Sequence, residues 1–274
     1  MTAIQSPKTI SELTKLVAKY GKRAFFVSGV DVSADRIPAG KVVIDIGNVA
    51  VMNTIEAPKG KIIIGTGLNL GRLVRETTGE NGLLRQAASL IANPLVRNKV
   101  TFLQAIDPES PYFDITTPMV SLEAKVRLQS ATGKRTLSVR EFLEVAGNLK
   151  KGEIAVQIEF AQVPSDVRVG FFRVARIGGK GSVSAAARMR LVRNVCKDPE
   201  IVVSGLSLIP LRTKSAEKEI QGKAASEESI KRASQLAASE ILELGDSKDA
   251  HERSLIEIAV ARTLRTIMEG SIPS

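Results

Sequence analysis

Two short glycine-containing turns are the segments of this sequence whose residue types suit the binding of an anion. Ser28-Gly29-Val30-Asp31 follows the apolar stretch Ala24–Val27, and Gly65-Thr66-Gly67 follows Lys61–Ile64. Backbone N–H groups at such strand ends can approach a phosphate, because glycine has no Cβ to block the approach. Neither segment has the spacing GxxxxGKS/T or GxGxxG of the established nucleotide-binding motifs. An ordinary turn at the first segment and close backbone packing at the second therefore remain alternatives.

A basic stretch in the C-terminal part of the chain is a further candidate for anion binding. Between Arg168 and Arg193 there are seven basic residues, Lys180 among them, and no acidic residue. The stretch suits an anion or the acidic surface of a partner protein. The alternative is the solvated face of two strands, on which Arg188 and Arg190 alternate. Nucleic acid is not expected as a partner, because no base-reading motif is present and aromatic residues for base stacking are few.

The inventory of reactive side chains excludes several classes of site. Cys196 is the single cysteine, so this chain has no internal disulfide, cysteine zinc site or cysteine-held iron–sulfur cluster. His251, the single histidine, lies at a polar helix start and is expected to be solvated or capping rather than a metal ligand. Asp107 and Glu109 are expected to solvate a loop, since nothing indicates a carboxylate pair around a substrate. We therefore expect no metal site and no catalytic residue in this chain.

Length, composition and charge place the chain among globular proteins. It has 274 residues, 43% of them apolar and 25% charged, with a formal net charge of +10. No apolar run approaches the roughly 18–20 residues of a membrane-spanning helix. The N-terminal residues also lack the basic-then-apolar pattern of a signal peptide. These features predict a cytoplasmic protein without a membrane association.

The elements that must position these residues form a mixed pattern of helices and strands. Thr9-Ile10-Ser11-Glu12 predicts a capping box at the start of a helix, and several short β-branched strands follow. The stretch Val100–Pro118 has no period and is predicted to be a long loop. The C-terminal part predicts strands at Phe171–Arg176, Val183–Val192 and Ile201–Leu208, then two amphipathic helices. We therefore predict an α+β fold that ends in a three-stranded sheet packed on helices.

Taken together, these segments resemble the flavin-binding (medium) subunit of molybdenum hydroxylases, the xanthine dehydrogenase and carbon monoxide dehydrogenase flavoprotein family. The resemblance runs from Thr9 to about Met268. FFVSGVDV resembles the family's strand and AGGTDL loop, and KVVIDI and KIIIGTGLNLGRLV follow in the expected order. The most specific segment, LLRQAASLIANPLVRNKVTFLQAI, resembles the family's helix followed by ASPQVRNRGTIGGNL. RVARIGGKGSVSAAARMRL resembles part of the C-terminal flavoprotein domain.

The resemblance implies a domain organisation. An FAD-binding-like domain is expected over residues 1–163, with lobes of about 1–55 and 56–163. A C-terminal flavoprotein-like α+β domain is expected over residues 164–274. In this family, backbone N–H groups of two glycine-rich loops hold the pyrophosphate of FAD, which implies that FAD is the cofactor here. Carried onto this sequence, the cofactor-binding positions are Ser28, Gly29, Val30, Asp31, Thr101, Phe102, Asp114 and Lys180.

The resemblance also implies a function in electron transfer. The flavin would receive electrons from iron–sulfur clusters on a partner subunit and pass them to an acceptor. A second partner subunit would hold the molybdenum cofactor. The lack of cysteines for clusters in this chain agrees with that division of labour.

The sequence departs from the family pattern at both loops. In the first, a glycine and a threonine of AGGTDL become Ser28 and Val30, whereas Gly29 and Asp31 are kept. In the second, the central glycines of GTIGGNL become Leu103 and Gln104, and Thr101 is kept. Two interpretations follow. The chain is a flavin-carrying electron-transfer subunit with a remodelled phosphate site, or it is a structural or docking subunit that keeps the fold without FAD.

Overall fold

A computed structural model describes residues 4–29, 37–76, 82–175, 182–245 and 249–269. The chain forms two compact units that alternate along the sequence. The first comprises Met1–Glu76, Ala92–Phe113 and Glu123–Gln162, and the second Thr77–Ile91, Asp114–Leu122 and Val163–Ser274. The predicted division between residues 163 and 164 stays a prediction.

The helices and strands follow one another in a mixed order that confirms the predicted α+β class. They are α1 (Ile10–Tyr20), β1 (Ala24–Val27), β2 (Val42–Asp45), β3 (Ile55–Glu56), β4 (Lys61–Gly65), α2 (Leu70–Glu76), α3 (Gly82–Leu90), α4 (Pro94–Arg97), α5 (Phe102–Ala105), α6 (Thr116–Ser121), β5 (Lys125–Gln129), β6 (Lys134–Ser138), α7 (Val139–Val145), β7 (Ile154–Ala161), β8 (Val167–Ala175), β9 (Ser182–Val192), β10 (Val195–Ser204), β11 (Leu211–Arg212), α8 (Lys214–Ile220), α9 (Glu227–Leu244) and α10 (Ala250–Glu269). No helix within the described ranges is both long and apolar enough to cross a membrane.

The first unit contains two sheets. β1 and β2 pair in parallel, and β3-β4-β7-β5-β6 form a five-stranded antiparallel sheet. Thr9 caps α1 as predicted, because its hydroxyl accepts the N–H of Glu12 at 3.2 Å. The Glu12 carboxylate accepts the N–H of Lys8 at 2.8 Å rather than that of Thr9, so half of the predicted box forms. α1 then buries Leu13 and Val17 in a core that β2 and β7 share.

The second unit is a sheet backed by helices. Its strand order is β11-β10-β9-β8, so the predicted three-stranded sheet gains a two-residue edge strand, Leu211–Arg212. Two residues are too short to show an alternating pattern in the sequence. The alanine-rich inner face of β9 packs with α8, α9 and α10 in one core. Small side chains at the centre of the sheet let the helices approach it closely.

The predicted loop Val100–Pro118 is wrong in detail, because it contains ordered helical turns. α5 occupies Phe102–Ala105, a 3₁₀ turn covers Phe113–Ile115, and α6 begins at Thr116. A four-residue helix is too short to show a helical period in the sequence, so only its caps can reveal it.

Candidate functional site

The first glycine turn is tied to strand β2 by a carboxylate. Gly29 has a φ of +96°, which favours glycine, and its N–H donates to Oδ1 of the buried Asp45 at 3.0 Å. The same oxygen accepts the N–H of Gly47 at 2.9 Å. Ser28 donates its hydroxyl to Oδ1 of Asn53 at 3.3 Å. Val30 and Asp31, also carried over as cofactor-binding positions, lie outside the described residues.

The segment Thr101–Ile106 lies at the position of the family's second glycine-rich loop and is called the second turn from here on. A complete capping box forms in it at the start of α5. The Thr101 hydroxyl accepts the N–H of Gln104 at 3.1 Å. In return, Oε1 of Gln104 accepts the N–H of Thr101 at 2.9 Å. The N–H groups of Thr101 and Gln104, which the start of a helix normally leaves unpaired, therefore each bond to the side chain of the other residue.

The other N–H groups of the same turn also have acceptors within the first unit. Phe102 donates to the carbonyl of Leu68 and Leu103 to that of Thr66, both at 2.7 Å. Ala105 and Ile106 donate to the carbonyls of Thr101 and Phe102 at 3.0 and 3.1 Å. Consequently all six consecutive N–H groups from Thr101 to Ile106 have a partner in this chain.

The side chains of this turn contact the first unit, and Leu103 and Gln104 are partly buried there. Nε2 of Gln104 donates to the carbonyl of Phe26 on β1 at 2.8 Å. Leu103 packs against the core that contains Leu13, Val17 and Ile44, and Phe102 is fully buried. The two residues at the family's glycine positions therefore connect the second turn to the interior around β1 and β2.

The glycines at the end of β4 serve close packing, as one of the two interpretations predicted. A Cβ on Gly65 would lie against the backbone carbonyl of Met52, and one on Gly67 would lie 2.9 Å from the same oxygen. Between them, the buried Thr66 donates its hydroxyl to the carbonyl of Ala155 at 2.8 Å. This segment is therefore a contact between β4 and the 3₁₀ turn Ala50–Met52 rather than an open anion site.

In the second unit, Asp114 is buried and already paired. Its Oδ2 accepts a hydrogen bond from Nε of Arg173 on β8 at 2.5 Å and another from the hydroxyl of Ser182 on β9. The arrangement anchors the turn before α6 to two neighbouring strands, with a guanidinium that compensates the buried carboxylate. Lys180, the remaining predicted cofactor-binding position, lies outside the described residues.

The described part of the basic stretch consists largely of paired arginines. Arg188 pairs with Glu200 at 2.7 Å, and Arg190 pairs with Asp166 and Asp198, each at 2.7 Å. The hydrogen bonds to Asp166 and Asp198 raise the pKa of Arg190. These contacts favour the interpretation of a solvated strand face over that of an anion site for these arginines.

The remaining candidates have structural roles. Burial of Cys196 raises the pKa of its thiol, which disfavours the reactive thiolate. The N–H of His251 donates to Oδ1 of Asp249 at 2.8 Å, so Asp249 caps the start of α10 beside the histidine. Asp107 accepts the N–H of Glu109 at 2.9 Å within the loop after α5.

Sequence reasoning missed the residues that close the two turns, Gln104 and Asp45. For Gln104 a signal was present, because Thr101-Phe102-Leu103-Gln104 has the capping-box spacing of a threonine followed three residues later by glutamine. For Asp45 the only signal was an acidic residue at the end of an apolar strand, and that pattern does not name its partner.

Comparison of the sequence with known families gives matches to two domains in succession. The FAD binding domain in molybdopterin dehydrogenase matches residues 1–163. The CO dehydrogenase flavoprotein C-terminal domain matches residues 180–267. Similar proteins include the carbon monoxide dehydrogenase medium chain of Hydrogenophaga pseudoflava, 23% identical over 85% of this chain and 84% of that protein. The xanthine dehydrogenase FAD-binding subunit of Escherichia coli O157:H7 is 26% identical over 78% of this chain and 77% of that protein.

Solved structures share the fold over nearly the whole chain. A chain of the carbon monoxide dehydrogenase from Hydrogenophaga pseudoflava superposes with a TM-score of 0.78 at 21% identity, covering 98% of both chains. A chain of quinoline 2-oxidoreductase from Pseudomonas putida 86 gives a TM-score of 0.80 at 20% identity, again over 98% of both.

Proposed function

Because the chain belongs to the family of FAD-binding subunits of molybdenum hydroxylases, whose role is electron transfer, we propose that it is the medium subunit of such an oxidoreductase complex. Its partners in that complex are a subunit with the molybdenum cofactor and a subunit with iron–sulfur clusters. In the family, FAD carries electrons from those clusters to an acceptor. The substrate is bound by the molybdenum subunit and not by this chain.

The observation that carries this proposal is the succession of both family domains along one chain of matching length. The first domain match covers residues 1–163 and the second covers residues 180–267. The superposed chains align over 98% of both lengths with TM-scores of 0.78 and 0.80. A shared fold over the length of the chain supports the proposal that this chain occupies the medium-subunit position of such a complex, although fold alone does not define the chemistry.

The fit of FAD to this chain is limited to the first turn. Gly29 keeps the left-handed backbone that the family's loop requires, but its N–H already donates to Asp45. At the second turn the residues do not fit, because Leu103 and Gln104 fill the glycine positions and the N–H groups of Thr101–Ile106 all have acceptors. Of the two interpretations of the sequence, this geometry favours a subunit that assembles the complex.

Purification of the tagged full chain from its native host tests the assignment to a complex. We expect the chain to co-elute with two partner subunits. Metal analysis of the eluted complex should find molybdenum, and iron in excess of molybdenum. The complex should survive a wash at moderate salt that removes electrostatically bound nucleic acid. Elution of the folded chain alone, without molybdenum or iron, would contradict the proposal.

A further inference from the structure

We propose that the Gln104 side chain forms hydrogen bonds that block the second turn to a phosphate, so that this chain does not retain FAD. The inference rests on the proposed function, since it concerns the cofactor that the family carries. It goes beyond that function because it assigns the loss of FAD to one turn and to named side chains.

The backbone N–H donors of the second turn are already engaged within the protein. A pyrophosphate has no protons to donate at neutral pH, so a protein cradle must supply N–H groups that lack other acceptors. Within Thr101–Ile106, every N–H has an acceptor between 2.7 and 3.1 Å away in the first unit. Binding an anion at this turn would therefore require breaking existing hydrogen bonds, which removes the gain from forming new ones.

Side chains stand at the positions where the family's second loop has glycines. In the family, glycines at the positions of Leu103 and Gln104 leave the backbone accessible. Here the Leu103 side chain packs against the core formed by α1, β2 and β7, and the Gln104 amide extends to the carbonyl of Phe26. The strand that contains Phe26 leads directly into the first glycine turn at Ser28 and Gly29. Gln104 thus joins the second turn to the strand before the first turn, through the protein itself.

Both polar atoms of the Gln104 amide are engaged. One amide side chain makes two different contacts, since Oε1 accepts the N–H of Thr101 and Nε2 donates to Phe26. Replacing Gln104 by glycine would leave both Thr101 and Phe26 without those partners. The turn would then have an unpaired N–H donor, and a nearby carbonyl would be released from the contact that spans the two segments.

The experiment reopens the turn in the full-length chain and measures flavin. In the variant Leu103→Gly/Gln104→Gly/Ala105→Asn the turn regains the residue types of the family. Glu141→Gly is the matched control, because it removes the Ser138–Glu141 capping box at the start of α7 without touching the turn. Each protein is incubated with excess FAD and desalted, and its flavin absorption bands and cooperative thermal melting are recorded.

We expect no retained flavin in the wild-type chain and in Glu141→Gly, and retained flavin in the triple variant. In a titration, the triple variant should bind FAD at least about tenfold more tightly than wild type, or about 1.4 kcal/mol.

Stoichiometric flavin in the desalted wild-type chain would overturn the proposal, and so would a triple variant that melts cooperatively but gains no FAD affinity. If the triple variant does not fold, Gln104→Gly alone is titrated, and an affinity equal to that of wild type overturns the proposal. Co-elution with molybdenum and iron is scored separately, so failure of the proposed function is distinguishable from failure of this inference.

Discussion

The turn Thr101–Ile106 and the cluster around Asp114 illustrate two different fates of positions that the family resemblance assigns to a cofactor. At the turn, the residue types have changed, and the new side chains take part in a closed set of hydrogen bonds. Asp114 matches the acidic residue that the resemblance places near the ribose of FAD, yet its carboxylate is engaged by Arg173 and Ser182 within the second unit. Retention of a residue type therefore says less about a retained role than the partners of its polar atoms do.

The two places also differ in the kind of interaction that stabilises them. Asp114 lies in a buried ion pair, for which the loss of one partner leaves an uncompensated charge. The turn relies on neutral hydrogen bonds and on packing of Leu103, and each of its contacts contributes less. Variants at the two places should thus differ in the size of their effect on stability.

The largest effect is expected for Asp114→Ala, which removes the partner of the half-buried Arg173. We expect a loss of about 3 kcal/mol in the free energy of unfolding, because an unpaired charge stays in a poorly solvated position. Urea denaturation measures it. Asp166→Ala is the control, since it breaks an ion pair of the exposed Arg190 and should cost less than about 1 kcal/mol. Equal effects of the two variants would mean that Asp114 is not a structural anchor.

Gly65→Ala tests whether a glycine beside the turn is kept for packing. The new Cβ would lie against the carbonyl of Met52, so the backbone must shift, and we expect a loss of about 2 kcal/mol. Gly133→Ala provides the control, because a Cβ there meets nothing within 4 Å and Gly133 lies in the hairpin between β5 and β6. A Gly65→Ala variant as stable as Gly133→Ala would disprove the close contact.

Gln104→Ala isolates the closure of the turn. The variant loses the acceptor for the Thr101 N–H and the donor to Phe26, which should lower stability by about 1.5 kcal/mol. The exposed Gln221→Ala should be neutral and serves as a composition control. Urea denaturation of both variants gives the comparison, and an unchanged midpoint for Gln104→Ala would show that the amide contributes nothing to the fold.

The smallest effect is a pH dependence that distinguishes the capping box of α5 from that of α7. The hydroxyl and N–H of Ser138 hold the pKa of Glu141 below its ordinary value of 4.5. The stabilisation by Glu141 is therefore complete above the unfolded pKa and is lost as the pH falls through the lower folded value. The difference in urea midpoint between wild type and Glu141→Gln should shrink on acidification, whereas that for Gln104→Ala should stay constant because an amide does not titrate. The opposite trend would refute this assignment.

The long helices and strands such as β9 were predictable from the sequence because they repeat a pattern over enough residues. The strand predicted at Ile201–Leu208 instead spans Val195–Ser204 as β10. α1, β9 and α10 have apolar residues at the expected spacing, and their inner faces are buried. α5 and β11 were not predictable in this way, since four and two residues are shorter than one full repeat of the pattern. The residues that carry the family resemblance were recognisable. The contacts of Asp114 with Arg173 and of Gln104 with Phe26 were not, because they join residues that are 59 and 78 positions apart.

Amide hydrogen exchange of residues 101–106, with and without excess FAD, tests the closed turn most directly. We expect slow exchange of these amides in the free chain, since each N–H has an acceptor in the first unit, and no change on addition of FAD. Fast exchange in the free chain that becomes slow with FAD would show the opposite, because the nucleotide and not Gln104 would then be the partner that completes the turn.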